Sequence, residues 1–238
     1  MKLTRSGKPL YLQVMSIIKD RILHGIYPVD STIPSEPQLE QEFEVSKITV
    51  RNAIKALVQD GYLETSSGRG TRVVRNTSSS KLSKLKRFTE VLVEEGFQIR
   101  KQLLRAELAA NEPDSEPFRL LGPQCLRIER LYHLNETPYI HFTHYVSAEL
   151  IGLSGADLSA QSLYELLEEQ GVTLDKHRDE FAVSTVPPDV QEALGLQEQA
   201  AACLKRSRFS YGESGELIEY SVGYYNTNLH PYVVNYDG

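Results

Sequence analysis

Tryptophan is missing from this 238-residue chain, and cysteine and methionine each occur only twice. Cys125 and Cys203 make one possible pair and no disulfide framework, which excludes the small stapled secreted scaffolds. No run approaches the roughly 20 apolar residues that span a bilayer, so a helical membrane protein is excluded as well. Behind its first positive charges the N-terminus has no apolar stretch, so no secretory leader is expected and a reducing cytoplasm is the expected compartment. Internal repeats, low-complexity blocks and heptad runs are also absent. What remains, 40% apolar and 24% charged residues with unexceptional glycine and proline, is the composition of an ordinary folded protein of one or two domains.

Charge is unevenly placed. The net charge is −6, yet residues 1–87 hold 15 Lys/Arg against 8 Asp/Glu, whereas residues 88–238 hold 11 against 24. A front at +7 and a back at −13 point to a polyanion partner for the front alone, because phosphate binding follows local Lys/Arg placement rather than the whole-chain balance. Between them Asn76–Lys86, NTSSSKLSKLK, is Ser-rich, basic and poor in apolar residues, the composition of a linker. The boundaries expected are therefore a domain over 1–75, a tether over 76–86 and a second domain over 87–238. Lys81, Lys84, Lys86 and Arg87 read as a solvated tether or as electrostatic help to DNA binding.

In the front domain, Pro9 suits a first helical turn and Tyr11, Met15, Ile18 and Ile22 form one apolar stripe, closed by Gly25 and Pro28. Ser35 can cap a short second helix carrying Leu39 and Phe43, and Ser46 a third in which Val50, Ala53, Ile54 and Leu57 share an arc. The opposite arc presents Arg51, Asn52 and Lys55. After Gly61 the period turns extended, YLETSS and TRVVR around Gly68-Arg69-Gly70, which makes a two-stranded wing. That order is a winged helix-turn-helix. Its third helix can enter a major groove with Lys47, Thr49 and Arg51, while the wing glycines let the backbone approach a phosphate with Arg69 between them.

Between Ile33 and Val73 stand Pro34-Ser35-Glu36, Val45-Ser46-Lys47, Thr49-Val50-Arg51, Ala53, Leu57, Gly61 and Gly68-x-Gly70-Thr71. With these marks the stretch resembles the DNA-binding domain of the GntR family of bacterial transcription regulators. The resemblance implies DNA contacts at Ser35, Ser46, Lys47, Thr49, Arg51 and Asn52, and in the wing at Gly68, Arg69, Gly70 and Thr71. Pro37 and Lys47 depart from the arginines frequent there, and a Lys cannot make the planar Arg fork to guanine.

The back domain reads as α+β: a helix from Phe88 to Gly96, a short Ser-capped helix at 115–122, and a hairpin of CLRIERLYHL and YIHFTHYVS about Asn135–Pro138. A helix at 162–171, another opened by Pro187-Pro188-Asp189, and a second hairpin about Gly212–Gly215 follow. No catalytic constellation is visible. His141 and His144 form an HxxH whose three-residue spacing on a strand sends the rings to opposite faces, so no metal site is expected. Cys125 and Cys203 sit among apolar residues as buried thiols rather than redox ones.

Phe88-Thr89-Glu90, Arg127-Ile128-Glu129-Arg130, Glu136-Thr137-Pro138, Ser162-Leu163-Tyr164 and Gly215–Ser221 resemble the UTRA effector domain, which is similar in fold to chorismate lyase and marks the HutC branch of the GntR family. The fold class expected is thus α+β, an N-terminal winged helix-turn-helix followed by an antiparallel-sheet UTRA domain. The resemblance implies an effector pocket of Thr89, Arg130, Ser162, Tyr164, Glu219 and Tyr225, in which an arginine, hydroxyls and the helix start at Ser162 suit a phosphate or carboxylate, and Glu219 and Tyr225 suit sugar hydroxyls. Tyr132 and Phe142 stand where family members that bind sugar phosphates often carry Arg and Glu. One cationic clamp instead of two weakens the case for a dianion. An Arg130 that merely pairs with a neighbouring carboxylate is the plainer alternative.

The function expected is a cytoplasmic, nucleoid-associated, homodimeric DNA-binding regulator, a repressor by preference. Its partners are double-stranded operator DNA and a small-molecule effector, with no membrane, no cofactor and no catalysis. The rivals are a lyase-like enzyme and a constitutive dimeric scaffold without effector.

Overall fold

A computed structural model describes residues 9–66, 68, 70–76, 88–148, 158, 162–197 and 202–233. Arg69 and residues 77–86 of the expected tether lie outside the described residues, as does the side chain of Thr89. The chain divides into two compact units, Met1–Ile99 and Arg100–Gly238. Among the described residues no helix is long and apolar enough to cross a membrane.

The first unit opens with α1 (Leu10–Leu23), entered from Pro9, whose fixed φ suits the start of a helix. Its buried face is Val14, Ile17, Ile18 and Ile22, and Tyr11 and Met15, expected on that stripe, are half-buried at its rim. Ile18 and Ile22 belong to both arcs, and packing against α3 selects the one that adds Val14 and Ile17. In α2 (Glu36–Phe43) the Gln38 carbonyl accepts both the backbone N–H and the hydroxyl of Ser35 at 2.8 Å, which satisfies a donor the helix cannot. Leu39 and Phe43 face inward, and Glu44 in the left-handed region ends the helix. The turn leads to α3 (Lys47–Gln59), where Ser46 Oγ accepts the Thr49 N–H at 3.4 Å and lies 2.9 Å from Thr49 Oγ1. Val50, Ala53, Ile54 and Leu57 are buried. The wing pairs β1 (Leu63–Ser66) with β2 (Gly70–Val73) antiparallel, Leu63 opposite Val73 and Ser66 opposite Gly70. Gly68 and Gly70 have φ of 76° and 85°, a backbone region that costs glycine little. The unit closes with α4 (Phe88–Glu94) and the Ile99 N–H on the His24 carbonyl at 2.9 Å.

The second unit is a six-stranded sheet of order β3-β4-β5-β8-β7-β6. Its strands are β3 (Ile99–Ala110), β4 (Gln124–Leu134), β5 (Thr137–Ser147), β6 (Leu174–Ser184), β7 (Cys203–Gly212) and β8 (Leu217–Tyr225). Both expected hairpins are present and their strands occupy the middle, joined by an antiparallel β5–β8 pairing. The two edge strands, β3 and β6, had no signal in the sequence. The helices are α5 (Glu116–Leu121), α6 (Leu163–Glu169) and α7 (Pro188–Ala193). From α6, Leu163, Leu166 and Leu167 cluster with Leu126, Ile128 and Val146, each leucine contributing about 2 kcal/mol by burial. From α7, Val190 and Leu194 cluster with Leu131, which has the opposite parity on β4 and so lies on the reverse face.

Candidate nucleic-acid interface and candidate effector site

On the first unit the outward arc of α3 carries Lys47, Ile48, Arg51, Asn52 and Lys55, all exposed. Arg51 is not loose: its Nε donates to both oxygens of Glu36 at 3.1 and 3.0 Å, tying the third helix to the start of the second and leaving the terminal guanidinium nitrogens for a partner. Ser35 and Ser46 are occupied as caps, and Thr49 is engaged with Ser46. Gly68, Gly70 and Thr71 lie in the wing, where Arg72 is held by Asp30 and Glu64 at 2.9 and 3.1 Å. Sequence reasoning missed two residues here. Ile48 is 62% exposed, an apolar side chain off the buried arc where thymine methyl groups are met. Glu36 was read only as a family mark.

On the second unit the strand register gathers a buried polar face. Across the sheet, Arg130, Phe142, Gly223, Arg206 and Phe181 stand opposite one another in one row, and Ile128, His144, Ser221, Arg208 and Asp179 in the next. The following row brings Glu219, Ser210 and His177 together. Directly opposed residues share a face. Glu219 has no exposure and accepts from His144 Nδ1 at 2.8 Å, Ser210 Oγ at 2.6 Å and Tyr164 Oη at 3.4 Å. Because the Ser210 proton goes to Glu219, His177 Nδ1 donates to Ser210 Oγ, 3.0 Å away. Arg208 grips Asp179 with Nε at 2.7 Å and Nη2 at 2.6 Å, and Arg130 donates to the Leu158 carbonyl at 2.7 Å.

Burial pushes the Glu219 carboxyl up, but hydrogen bonds from His144, Ser210 and Ser221 outweigh it and hold the group below its ordinary range, so it is a carboxylate. Burial pushes His144 below its ordinary 6.5 against the pull of Glu219, and His141 and His177 go the same way for the same first reason. An ionised Glu219 can only accept, so neutral His144 carries its proton on Nδ1 and a bare lone pair on Nε2.

These directions give a pH prediction. The unfolded chain takes up histidine protons near pH 6.5 and the folded chain does not, so stability is full above 6.5 and falls as the medium is acidified. The slope is about 1.4 kcal/mol per pH unit for each such histidine. The melting temperature should hold between pH 8 and 7 and drop between 6.5 and 5.5, before Glu219 itself titrates. A flat profile through that window would contradict neutral buried histidines.

Of the residues implied for the effector pocket, Arg130, Tyr164, Glu219 and Tyr225 belong to this face or touch it. Ser162 caps α6 without a side-chain hydrogen bond. Thr89 belongs by its backbone to α4, in the first unit. Arg206, Arg208, His144, His177 and Ser210 were missed. Their signal was a two-residue alternation, Arg206-x-Arg208-x-Ser210, inside an apolar hairpin. His141 and His144 do point to opposite faces, His141 toward Glu129 and Asp189 and His144 toward Glu219. Cys125 and Cys203 are buried free thiols, Cys125 Sγ donating to Asn111 Oδ1 at 3.0 Å.

Residues 10–73 match the bacterial regulatory proteins of the gntR family, and residues 94–230 match the UTRA domain. The chain is 26% identical to the HTH-type transcriptional repressor NagR of Bacillus subtilis strain 168, over 96% of this chain and 95% of that one. It is 25% identical to the mannosyl-D-glycerate transport/metabolism system repressor MngR of Escherichia coli K12, over 93% of each. PhnF from Mycobacterium smegmatis shares its fold, with a TM-score of 0.53 and 21% identity over 90% of this chain and 95% of that one. Relatives matched along both units are transcription regulators, so the lyase reading of the second unit falls away. The chain belongs to the gntR family of bacterial regulatory proteins, in the HutC branch defined by a UTRA domain behind the DNA-reading unit.

Proposed function

We propose that the chain is a homodimeric repressor, acting on the nucleoid in a bacterial cytoplasm, whose hold on operator DNA is set by a sugar-derived metabolite on the buried face of its second domain. The division used is 1–75 for DNA, 76–86 for the tether and 87–238 for effector and dimer. Lys47, Ile48, Thr49, Arg51 and Asn52 meet base edges or phosphates, the helix starts at Ser35 and Ser46 face the backbone, and Gly68, Arg69, Gly70 and Thr71 approach the neighbouring groove.

The observation that carries the effector half is the Glu219 cluster. A fully buried carboxylate ringed by neutral histidines, hydroxyls and arginines is a costly way to fill a core, and a polyol ligand offers it the partners it suits. Tyr164 at 3.4 Å is the contact a sugar hydroxyl displaces most easily, and Arg130, Ser162 and Tyr225 complete the proposed contact set. The names of NagR and MngR mark repressors, and MngR's mark a sugar derivative. The effector binds one dimer arrangement better, and that difference changes the spacing of two recognition helices on their half-sites. Titrating a sugar panel into the protein bound to its operator tests this. One class of compound should change the Kd at least tenfold, whereas a constitutive scaffold would show no change with any of them.

The dimer rests on β6. It is an edge strand with Phe181 48% and Val183 78% exposed, and an edge with large apolar side chains invites a second copy. Light scattering on the purified chain should give twice the mass of one chain, and Val183→Asp should shift it to one. A wild-type monomer at micromolar concentration would remove the dimer.

A further inference from the structure

Two of the three arginines on the buried sheet face have partners that account for them: Arg208 has both oxygens of Asp179, and Arg130 the Leu158 carbonyl. Arg206 differs. It is 9% exposed, and among the described residues no carboxylate lies within ion-pair distance of it. Its polar contact is long, Nη1 to Tyr232 Oη at 3.5 Å. Otherwise the guanidinium lies against the rings of Phe142 and Tyr225, 5.2 and 5.6 Å from their centroids. Asp179 acts on it only from beyond contact distance, and a buried cation without a carboxylate in direct contact is expensive and is retained where something supplies the missing partner.

The seat under it is built. Gly223 stands opposite both Phe142 on β5 and Arg206 on β7, and a Cβ there would lie 2.4 Å from the Phe142 ring. Only glycine lets that ring lie so close over the strand, and the ring in turn holds the guanidinium plane. The Phe142 ring also lies 5.5 Å from that of His144, whose Nε2 is buried with no hydrogen-bond partner among the described residues. With the histidines neutral, among the described residues of this face Arg130, Arg206 and Arg208 against Glu219 and Asp179 leave one positive charge over.

We propose that Arg206 is the anion-binding residue of the effector site: the ligand carries a phosphate or carboxylate that pairs with Arg206 and a hydroxyl that donates to His144 Nε2. The proposal rests on the reading that this face holds an effector, and it replaces the missing second arginine of β4, where Tyr132 stands, by one from β7. The planar fork matters, because a lysine on an aromatic platform offers neither two parallel donors nor a stacked plane.

Thermal shift and calorimetry on the full chain at constant ionic strength test it. The probes are sodium phosphate, sodium acetate and sodium chloride, and then glucose 6-phosphate, glucuronate and glucose. Phosphate or carboxylate should raise the melting temperature saturably by several degrees over chloride, and the arm that does so names the head group. Glucose alone should not. Arg206→Met should weaken the anion response at least tenfold while melting, without anion, within about 2 °C of wild type or above it, because an uncompensated buried charge is gone. Arg206→Lys should fall between. If Arg206→Met responds as wild type does, or melts far lower without anion, Arg206 is structural and the assignment is overturned. Should that variant not fold, a wild type indifferent to phosphate and carboxylate overturns it equally. A neutral sugar that releases DNA regardless of Arg206 would leave the effector reading standing and remove the anion. Anion binding through Arg206 with no effect on operator affinity would do the reverse.

Discussion

Arg51→Ala is expected to lower affinity for the operator by about 10- to 100-fold, the range of one lost bidentate base contact of roughly 1–3 kcal/mol. Glu36 fixes this side chain through two hydrogen bonds to its Nε, so little rotamer entropy remains to be lost when the terminal nitrogens meet DNA. The salt series tells what the contact is. A base contact costs specific binding while non-specific binding hardly moves, whereas a phosphate contact weakens every sequence alike and lowers the salt slope by about one. Glu36→Gln makes the companion prediction. Removing a negative charge beside the phosphates should strengthen non-specific binding, while releasing Arg51 should lower the specific-to-non-specific ratio about tenfold. An Arg51→Ala protein with unchanged operator affinity across the series would remove α3 as the reading element.

Glu219→Ala is expected to destabilise the second unit by about 3–5 kcal/mol, the cost of leaving buried partners of a removed charge uncompensated. His144 Nδ1 and Ser210 Oγ lose their acceptor, and among the described residues three arginines on the same face keep only Asp179 against them. For a unit of this size that is a fall of about 10 °C in melting temperature. Glu219→Gln keeps the shape but aims an amide at two groups of which only one can be accepted, so it should fall about halfway. A Glu219→Ala protein as stable as wild type would mean that the cluster is solvated rather than buried.

How much of this could be read from the sequence depends on where the information sits. The recognition unit was legible because local chemistry writes it: Ser35 and Ser46 cap, Glu44 turns, and the arc of Val50, Ala53, Ile54 and Leu57 follows the helical period. The central hairpins were legible for the same reason. The edge strands were not. IRKQLLRAELAA in β3 consists largely of good helix formers, overridden by pairing with β4, and LDKHRDEFAVS in β6 is so rich in charged residues that its alternation is masked. Tyr11 and Met15 gave way to Val14 and Ile17 because the facing helix, not the period, chose the arc. On the buried polar face proposed for the effector stand Arg130, Tyr164, Glu219 and Tyr225, the residues that the resemblance named. Arg206, Arg208 and His177 become neighbours only through register between strands far apart in sequence, which no local pattern encodes.

The most direct measurement is fluorescence anisotropy of the full chain on duplexes from its own gene neighbourhood, against scrambled duplexes of equal length, at about 0.15 M salt. One native duplex should bind at least about a thousandfold more tightly than its scrambled control, with affinity falling steeply and log-linearly in salt. Equal, weak binding to native and scrambled duplexes alike would contradict the central claim, that the first domain reads operator sequence.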